Sequence, residues 1–535
     1  MSQSLLRSTA VITAGNVAAR VTGFVRVLAI GAALGTTFLG NTYQTANLVS
    51  NILFELLAAG LLSSVLVPTF VRLFDEGRDD DAQHVAGALL GIVLVGLGAV
   101  TLVGLMARPW LMRGLTVAVS DGAVRDEEVR LGSFFLIFFL PQVMLYAVGA
   151  VATAMLHGRR RFAAPAFAPM ANNLVVTATM IVFALQRHAG GEEGPPGLDI
   201  TGSQQAVLAV GTTLGVLGMA VVPLVAVRRA GLRLRPRWDL AHPEVRGLGR
   251  PGLWAAAFLA LNQVLIAVTL VLANHIEGGV VAFQIAFTFF LLPFAVLANP
   301  IFTALYPRLS AEAARRQWRA FMASVSGGVR VIAFLVLPAS ALLIALGRPA
   351  LRLVQLGSLD VAGAGLVARV LSAYALGLIG YSLFQHVTRA SYATADARTP
   401  ALVHLGATVG GVALMILLFA SATGTDKVVV LGIAHSAAMV GAAAVLLVLL
   451  RRRVGEPVAC LTSLARSGAG ALAAGVVARL VADALALDGR GGAAVTLLVA
   501  GGAGIAVFAA VAWATRAPEW HGLQLPPTPV GEGVP

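Results

Sequence analysis

Ala10 to Leu34 reads AVITAGNVAARVTGFVRVLAIGAAL, an apolar run broken only by Arg20, Arg26 and a few small polar residues. About 20 apolar residues suffice to cross a bilayer as a helix. A guanidinium keeps its proton there. At bilayer depth it therefore needs a partner or a wet cavity, at a cost of roughly 2.5–3.5 kcal/mol per arginine on insertion scales. Two arginines in a first span point to a water-filled, cationic cavity between helices that receives an anion. Arg20 and Arg26 are six positions apart, about 120° around a helix. Asn16, Arg20 and Gly23 share a face and Arg26 stands to one side. Such a broad polar sector fits a cavity wall better than a narrow helix seam. The alternative is one arginine paired internally and the other snorkelling to the interface.

The rest of the 535-residue chain has the same character, 58% hydrophobic and 12% charged, with mean hydropathy +0.86. A soluble domain carries about 25% charged residues. The chain therefore reads as a polytopic helical membrane protein. Its first run lacks a small-residue cleavage site, so it is expected to be a span and not a signal peptide. The single cysteine, Cys460, excludes an intramolecular disulfide and a thiolate metal cluster. Net charge +13 raises nucleic acid as a partner. Membrane proteins concentrate arginine in cytoplasmic loops, however, so no nucleic acid is expected. The acidic run Asp75 to His84 reads as a solvated loop, not a metal site. Glycine-rich runs in the third and fourteenth spans read as close-packing positions, because no strand precedes them. No extramembrane segment exceeds about 25 residues. A nucleotide-binding domain does not fit, so the expectation is no ATP site, no cofactor, no metal and no catalytic residues. Drive is expected from an ion gradient or membrane potential.

Fourteen apolar segments of spanning length follow one another, at roughly 10–34, 41–72, 84–107, 130–156, 163–186, 205–228, 250–275, 279–306, 321–347, 364–391, 400–421, 427–450, 466–486 and 493–515. With the N-terminus inside, 23 of the 38 basic residues fall on the cytoplasmic side and 9 on the other. The remaining six, Arg20, Arg26, Arg330, Arg369, Arg389 and Arg479, lie within spans. That asymmetry predicts both ends inside. The longest basic loop, Arg228 to Arg250, separates two six-helix lobes, 1–240 and 241–455. An extra helix pair at 456–519 and a Pro- and Gly-rich tail at 520–535, expected to be disordered, complete the chain. The lobes echo one another. The second span ends Val67-Pro68-Thr69-Phe70-Val71-Arg72-Leu73 and the eighth ends Leu305-Tyr306-Pro307-Arg308-Leu309. Internal repeats of this kind are typical of transporters, with the substrate between them. The predicted fold class is an all-α polytopic membrane protein. It has about fourteen transmembrane helices, as two pseudo-repeated lobes around a central cavity plus a C-terminal pair.

Polar stripes mark candidate substrate-binding residues. In the second span Asn41, Gln44, Asn51 and Glu55 share one helical face, with Asn47 beside it. A polar stripe does not face lipid uncompensated. Interhelical hydrogen bonding is one use for it. Glu55, the one acidic residue placed clearly within the spans, is also a candidate counter-charge for Arg20 or Arg26. In the tenth span Tyr381, Gln385, Thr388 and Tyr392 share a face, with His386 and Arg389 adjacent. His386 reads as a hydrogen-bonded interior histidine before a proton relay, and Arg389 has the option of snorkelling.

Several motifs resemble the MurJ/MviN family of lipid II flippases, within the multidrug/oligosaccharidyl-lipid/polysaccharide exporter superfamily. They are Arg20-Val21-Thr22-Gly23-Phe24-Val25-Arg26, the stretch from Asn47 through Asn51 and Gly60 to Pro68, and Arg161-Phe162-Ala163-Ala164-Pro165-Ala166-Phe167-Ala168-Pro169 to Asn173. In the second half they are Val354-Gln355-Leu356-Gly357, Ala373-Tyr374-Ala375-Leu376-Gly377-Leu378-Ile379-Gly380, and Tyr392 through Asp396, Arg398, Thr399 and Pro400. The resemblance covers nearly the whole chain. It implies fourteen spans with both ends in the cytoplasm and a monomer in a bacterial plasma membrane. It also implies outward transfer of an undecaprenyl-pyrophosphate-linked peptidoglycan precursor by alternating access, with Arg20 and Arg26 near the pyrophosphate. Cell-wall synthesis and division proteins are the expected protein partners. The chain departs from the family pattern in four places. Val27 stands where an acid follows the second arginine, and Asn41 where an Asp opens span two. Phe54 and Glu55 stand where basic residues are usual, and Thr288 where span eight carries an Arg. An exporter of another polyprenyl-linked glycan or lipid, or a non-transporting cell-wall scaffold, are the alternatives. A membrane glycosyltransferase ranks last, because the loops are too short to supply its acids.

Overall fold

A computed structural model describes residues 3–56, 66–239 and 263–521, with side chains from residue 13 to 519. Every regular element among them is helical. By compactness the chain divides into two units, Met1–Val281 with Leu356–Asp360, and Ala282–Gln355 with Val361–Pro535. The charge pattern puts the lobe boundary at 240/241, whereas the compact division falls at 281/282.

The first unit contains α1 (Gln3–Leu34), α2 (Phe38–Phe54), α3 (Leu66–Asp75), α4 (Asp79–Leu115), α5 (Gly122–Phe139), α6 (Gln142–Gly158), α7 (Ala163–Ala189), α8 (Gly202–Arg229) and α9 (Gln263–Ala273). α1 packs along α7, α7 along α8, and α8 along α6, while α2 lies against α5. The core is aliphatic and aromatic, with Phe135, Phe139 and Tyr43 fully buried together. The loop after α8 lies on α4, where the Arg237 N–H donates to the Gly87 carbonyl at 2.9 Å. A Cβ on Gly91 would stand 1.9 Å from the Arg237 carbonyl oxygen, so this third-span glycine is a close-packing position. The acidic run Asp75 to His84 is engaged by Arg78, Arg159 and Arg160 in ion pairs and by Arg237 at His84. Leu356–Asp360 joins this unit through Gly357, whose φ of 55° and close approach to the Ala32 backbone exclude a side chain. The Ser358 N–H then donates to the Ala32 carbonyl at 2.7 Å.

The second unit holds most of α10 (Gly279–Pro293), a π turn (Phe294–Ala298), and α11 (Asn299–Ala314), α12 (Trp318–Leu353), α13 (Val361–Ala375), α14 (Leu378–Ala393), α15 (Arg398–Ser421), α16 (Asp426–Val454), α17 (Leu461–Leu485) and α18 (Gly489–Ala514). α17 and α18 pack on each other and on α12, with Ala478 and Ala500 buried against Leu346.

Among the described residues eleven helices are long and apolar enough to cross a membrane, or twelve if α13 and α14 form one span bent by 43°. The expected second and seventh spans run into residues outside the described set, as does the tail from 522. At the break in the tenth span the Ser436 hydroxyl donates to the Ala373 carbonyl at 2.7 Å, and the Gly377 N–H turns to Tyr374 O at 2.9 Å instead. The fourth span begins earlier than its hydropathy suggests, at Gly122 instead of 130.

Candidate functional site

Small residues set the rotation of α1. Gly15 meets Ala166 and Phe167 of α7, and Gly23 meets the Asn173 amide. Asn173 Nδ2 donates to Ala19 O at 3.0 Å and to Thr22 Oγ1 at 3.1 Å. The long motif ending at Asn173 is therefore the clamp on the first span. With that face fixed, Asn16 and Arg20 are exposed and Arg26 is half-buried. Arg26 Nε is buried without a hydrogen-bond partner. Its charge is felt at the phenols of Tyr43 and Tyr146. The Tyr43 hydroxyl is hydrogen-bonded to Thr212 Oγ1 at 2.7 Å, and the Tyr146 ring tilts on Phe54 at 5.5 Å.

Glu55 does not neutralise these arginines. Among the described residues no ion pair joins it to Arg20 or Arg26. The reason is the packing order, since α1 lies chiefly along α7 and only lightly on α2. Glu55 is half-buried where α2 widens into a π turn at Glu55 and Leu56.

The α2 stripe divides in two. Asn41 is fully buried with both ends of its amide engaged: Nδ2 donates to Ile276 O at 2.9 Å, and Oδ1 accepts from Val280 N at 3.0 Å. It holds the turn before α10. Gln44 is also buried, at 4% exposure. Asn47 and Asn51 are half-buried, on the part of the stripe that opens.

Glu55 is also not the one acid within the spans. Glu128 on α5 is fully buried, 3.1 Å from the Thr42 hydroxyl, and accepts from Asn274 Nδ2 at 3.4 Å. No cation pairs with it among the described residues. Glu128 falls just before the fourth span as hydropathy places it, at 130–156, beside the charged Arg125, Glu127 and Arg130. The available signal was spacing, because Glu128, Leu131 and Phe135 share the buried face of one helix.

In the second unit Arg389 lies over the Phe302 ring, with Cζ 3.8 Å from its centroid. Its Nη1 is buried and unpaired. Tyr306, Tyr381 and Tyr392 surround it electrostatically, and Gln385 is hydrogen-bonded to Tyr381. Arg389 is half-buried against these rings, not extended to the interface. His386 is fully buried, its Nε2 3.2 Å from the Val325 carbonyl and its ring against Gly328. That is an interior histidine. The turn after α14 is fixed by Asp396, which accepts from Thr399 N at 3.0 Å and pairs with Arg453. Burial pushes the Asp396 carboxyl up, but the Thr399 and Arg453 contacts outweigh it and hold it below the ordinary range.

Comparison with known proteins places this arrangement. "Probable lipid II flippase MurJ" of Rhizobium meliloti is 27% identical over 429 residues, 78% of this chain and 76% of that protein. "Lipid II flippase MurJ" of Burkholderia cenocepacia is 23% identical over 406 residues, 75% of this chain and 76% of that protein. The fold matches a solved lipid II flippase MurJ in an inward closed conformation, with TM-score 0.75 at 15% identity, over 95% of this chain and 99% of that one. It also matches an inward-facing MATE family transporter of the MOP superfamily, with TM-score 0.67 at 15% identity, over 82% and 94% of the chains. The family model described as lipid II flippase MurJ matches residues 30–486, a stretch that begins after Arg20 and Arg26 and runs through Arg389. With that match over most of its length, the chain belongs to the MurJ family.

Proposed function

We propose that this chain moves a lipid-linked peptidoglycan precursor, a disaccharide-pentapeptide on undecaprenyl pyrophosphate, from the inner to the outer leaflet of a bacterial plasma membrane. It does so by alternating access, as a monomer, without enzymatic chemistry. The observation that carries this reading is the state of Arg26 and Arg389. Each sits half-buried in a spanning helix, with a guanidinium nitrogen unpaired and no carboxylate partner among the described residues. The lipid II flippases to which the chain is similar carry that cargo in their names. A pyrophosphate supplies the missing anion. Charge-assisted, often bidentate, arginine–phosphate bonds contribute about 1.5–3 kcal/mol each. Arg20, exposed on the same helix as Arg26, extends the cationic surface. Asn47, Asn51 and Gln385 offer amides, and Glu55 an acceptor, to the sugar and peptide, while Gln44 is buried beside Asn41. Asn41 supports the site by holding the turn before α10. Both ends lie inside, the orientation that the 23-to-9 distribution of basic residues favours. An ion gradient or the membrane potential drives the cycle.

Two measurements test the proposal. A flippase-depleted strain expressing this chain should recover growth, and proteoliposomes should translocate a fluorescent precursor. Failure of both at normal membrane abundance defeats it. A cysteine at Ser203 on a Cys460-free background should label in intact cells, and labelling only after permeabilisation would reverse the orientation.

The second reading, export of another polyprenyl-linked glycan, draws on the uncharged departures. Thr288 is satisfied by the Gln284 carbonyl at 2.8 Å, Phe54 by the Tyr146 ring, and Asn41 by backbone, so these sites work without the family's charges. Translocation of a different polyprenyl-linked cargo, with no rescue of growth, favours that reading. Neither activity favours the scaffold.

A further inference from the structure

Of the six arginines within spans, the transport reading uses Arg20, Arg26 and Arg389. Arg369 and Arg479, from different helices, line one pocket of about 490 Å³ together with Arg348. The pocket lies wholly within the second unit, between α12, α13, α16 and α17. Arg348 is five residues from the end of α12, Arg369 eight from the start of α13, and Arg479 six from the end of α17. At about 1.5 Å per residue all three lie within roughly 12 Å of their helix ends. That is shallow enough for arginine side chains to meet the headgroup layer.

The donors are only partly used. Arg369 donates from Nη1 to Asp426 at 2.7 Å and from Nη2 to Thr425. Arg479 donates from Nε to Asp483 at 2.8 Å, leaving its outer nitrogens. Arg348 has no partner among the described residues. Three guanidinia against two carboxylates leave a net positive pocket. Its other walls are apolar, and Ile344, Leu376 and Ile433 there are exposed. A cationic pocket with an exposed apolar wall is complementary to an amphiphile carrying a net negative phosphate, and neither a soluble anion nor a neutral lipid matches both halves.

We propose that this pocket holds the headgroup of an anionic phospholipid, with Arg348 and Arg479 on the phosphate and the acyl chains along Ile344, Leu376 and Ile433. Arg369 is held by Asp426 as the pocket's back wall. The site is separate from Arg20, Arg26 and Arg389 and does not depend on which side of the membrane this bundle end faces.

Native mass spectrometry of the full chain, released from detergent and titrated with phosphatidylglycerol or with phosphatidylcholine of the same acyl chains, tests the site. Both lipids carry the phosphate, and only the first carries net charge. The wild type should retain one phosphatidylglycerol in preference, and R348A/R479A, which removes both phosphate contacts, should cut that preference by about tenfold or more. D483N, which removes the negative charge beside Arg479, should raise retention. Equal retention of the two lipids overturns the proposal, as does a double variant that keeps the wild-type preference. If R348A/R479A does not run as a folded monomer on size exclusion, D483N decides alone, and no gain there overturns the site. Millimolar inorganic phosphate should not displace the lipid. Displacement would make a free anion the ligand and overturn the lipid assignment. The readout is lipid retention, so it stands or falls independently of translocation.

Discussion

Arg26 in the first unit and Arg389 in the second are both cations inside spanning helices, and the protein holds them by different means. Arg26 belongs to a helix whose rotation is fixed from behind. Gly15, Gly23 and Asn173 seat α1 on α7, and the guanidinium is left beside phenols, one of them already bonded to Thr212. Arg389 is fixed through its own side chain, its Cζ 3.8 Å from the Phe302 centroid and its charge among three tyrosines. Neither is paired with an acid among the described residues, and that shared absence is the lesson. A carboxylate would consume the N–H donors that an anionic cargo needs, whereas helix packing or a ring face positions the charge and leaves its in-plane donors available. The two sites differ in what a substitution removes. At Arg26 it removes the charge alone. At Arg389 charge and seat are separable.

The largest effect is therefore expected at Arg26. Losing one bidentate phosphate contact weakens cargo binding by roughly 10- to 100-fold, since 1.4 kcal/mol is about tenfold. Arg26→Ala should abolish growth rescue at unchanged membrane abundance, and Arg26→Lys should be intermediate, because ammonium keeps the charge and loses the planar fork. Rescue by Arg26→Ala at normal abundance would remove the first-unit cation from the mechanism. Arg389 splits the comparison further. Arg389→Ala should cost about tenfold in precursor translocation. Phe302→Leu keeps the cation and removes its platform, worth about 0.5–1 kcal/mol, and should cost about two- to fivefold. If Phe302→Leu matches wild type while Arg389→Ala does not, the ring is packing only.

How much of this was legible in the sequence depends on what carried each feature. Hydropathy located the spans, because a helix in lipid must be apolar along its length, and α4, α7, α8, α12 and α15 to α18 lie where the pattern put them. The break at Gly377 was not legible. It is made by Ser436, some 60 residues away, whose hydroxyl takes the Ala373 carbonyl. The echo between the second and eighth spans was visible as Pro68 and Pro307. Its physical form, a π turn in each at Glu55 and Phe294, was not. Among site residues, the two-arginine pattern of α1 needed only periodicity. The role of Asn41 needed the tertiary fold, because a polar stripe does not reveal which amides are closed by a distant turn. Glu128 was hidden by its charged neighbours, since a local count weighs Arg125, Glu127 and Arg130 equally and cannot see that only one of the four faces inward.

Glu128 offers a control for both cation sites, a buried carboxyl with no cationic partner among the described residues. Glu128→Ala takes the acceptor from Asn274 Nδ2, while the Thr42 hydroxyl keeps the Phe38 carbonyl at 2.8 Å, and an unsatisfied buried donor costs about 1–3 kcal/mol. The outcome should be lower thermal stability and abundance, with transport per folded molecule little changed. Glu128→Gln keeps an acceptor for Asn274 and should be milder. A Glu128→Ala protein that is stable and transport-dead would instead place Glu128 in the transport cycle.

The smallest effect is expected at Glu55, and it is the sharpest test of the claim that the arginines work unpaired. A carboxylate neutralising Arg20 or Arg26 would, when changed to glutamine, leave an unbalanced cation at bilayer depth and lower both abundance and activity. No such pair exists among the described residues, and Glu55 sits half-buried at the end of α2, where its backbone N–H closes the helix whatever its side chain. Glu55→Gln preserves size and hydrogen-bonding reach. It should therefore leave membrane abundance unchanged and translocation within about twofold, well under the 1.4 kcal/mol that a tenfold change requires. The informative measurement is the double-mutant cycle with Arg26→Lys. Additive losses keep the two residues independent. A coupling comparable to the whole Arg26→Lys loss would show that Glu55 reaches Arg26 during the cycle, and the unpaired-cation account of the first unit would give way to a switched ion pair.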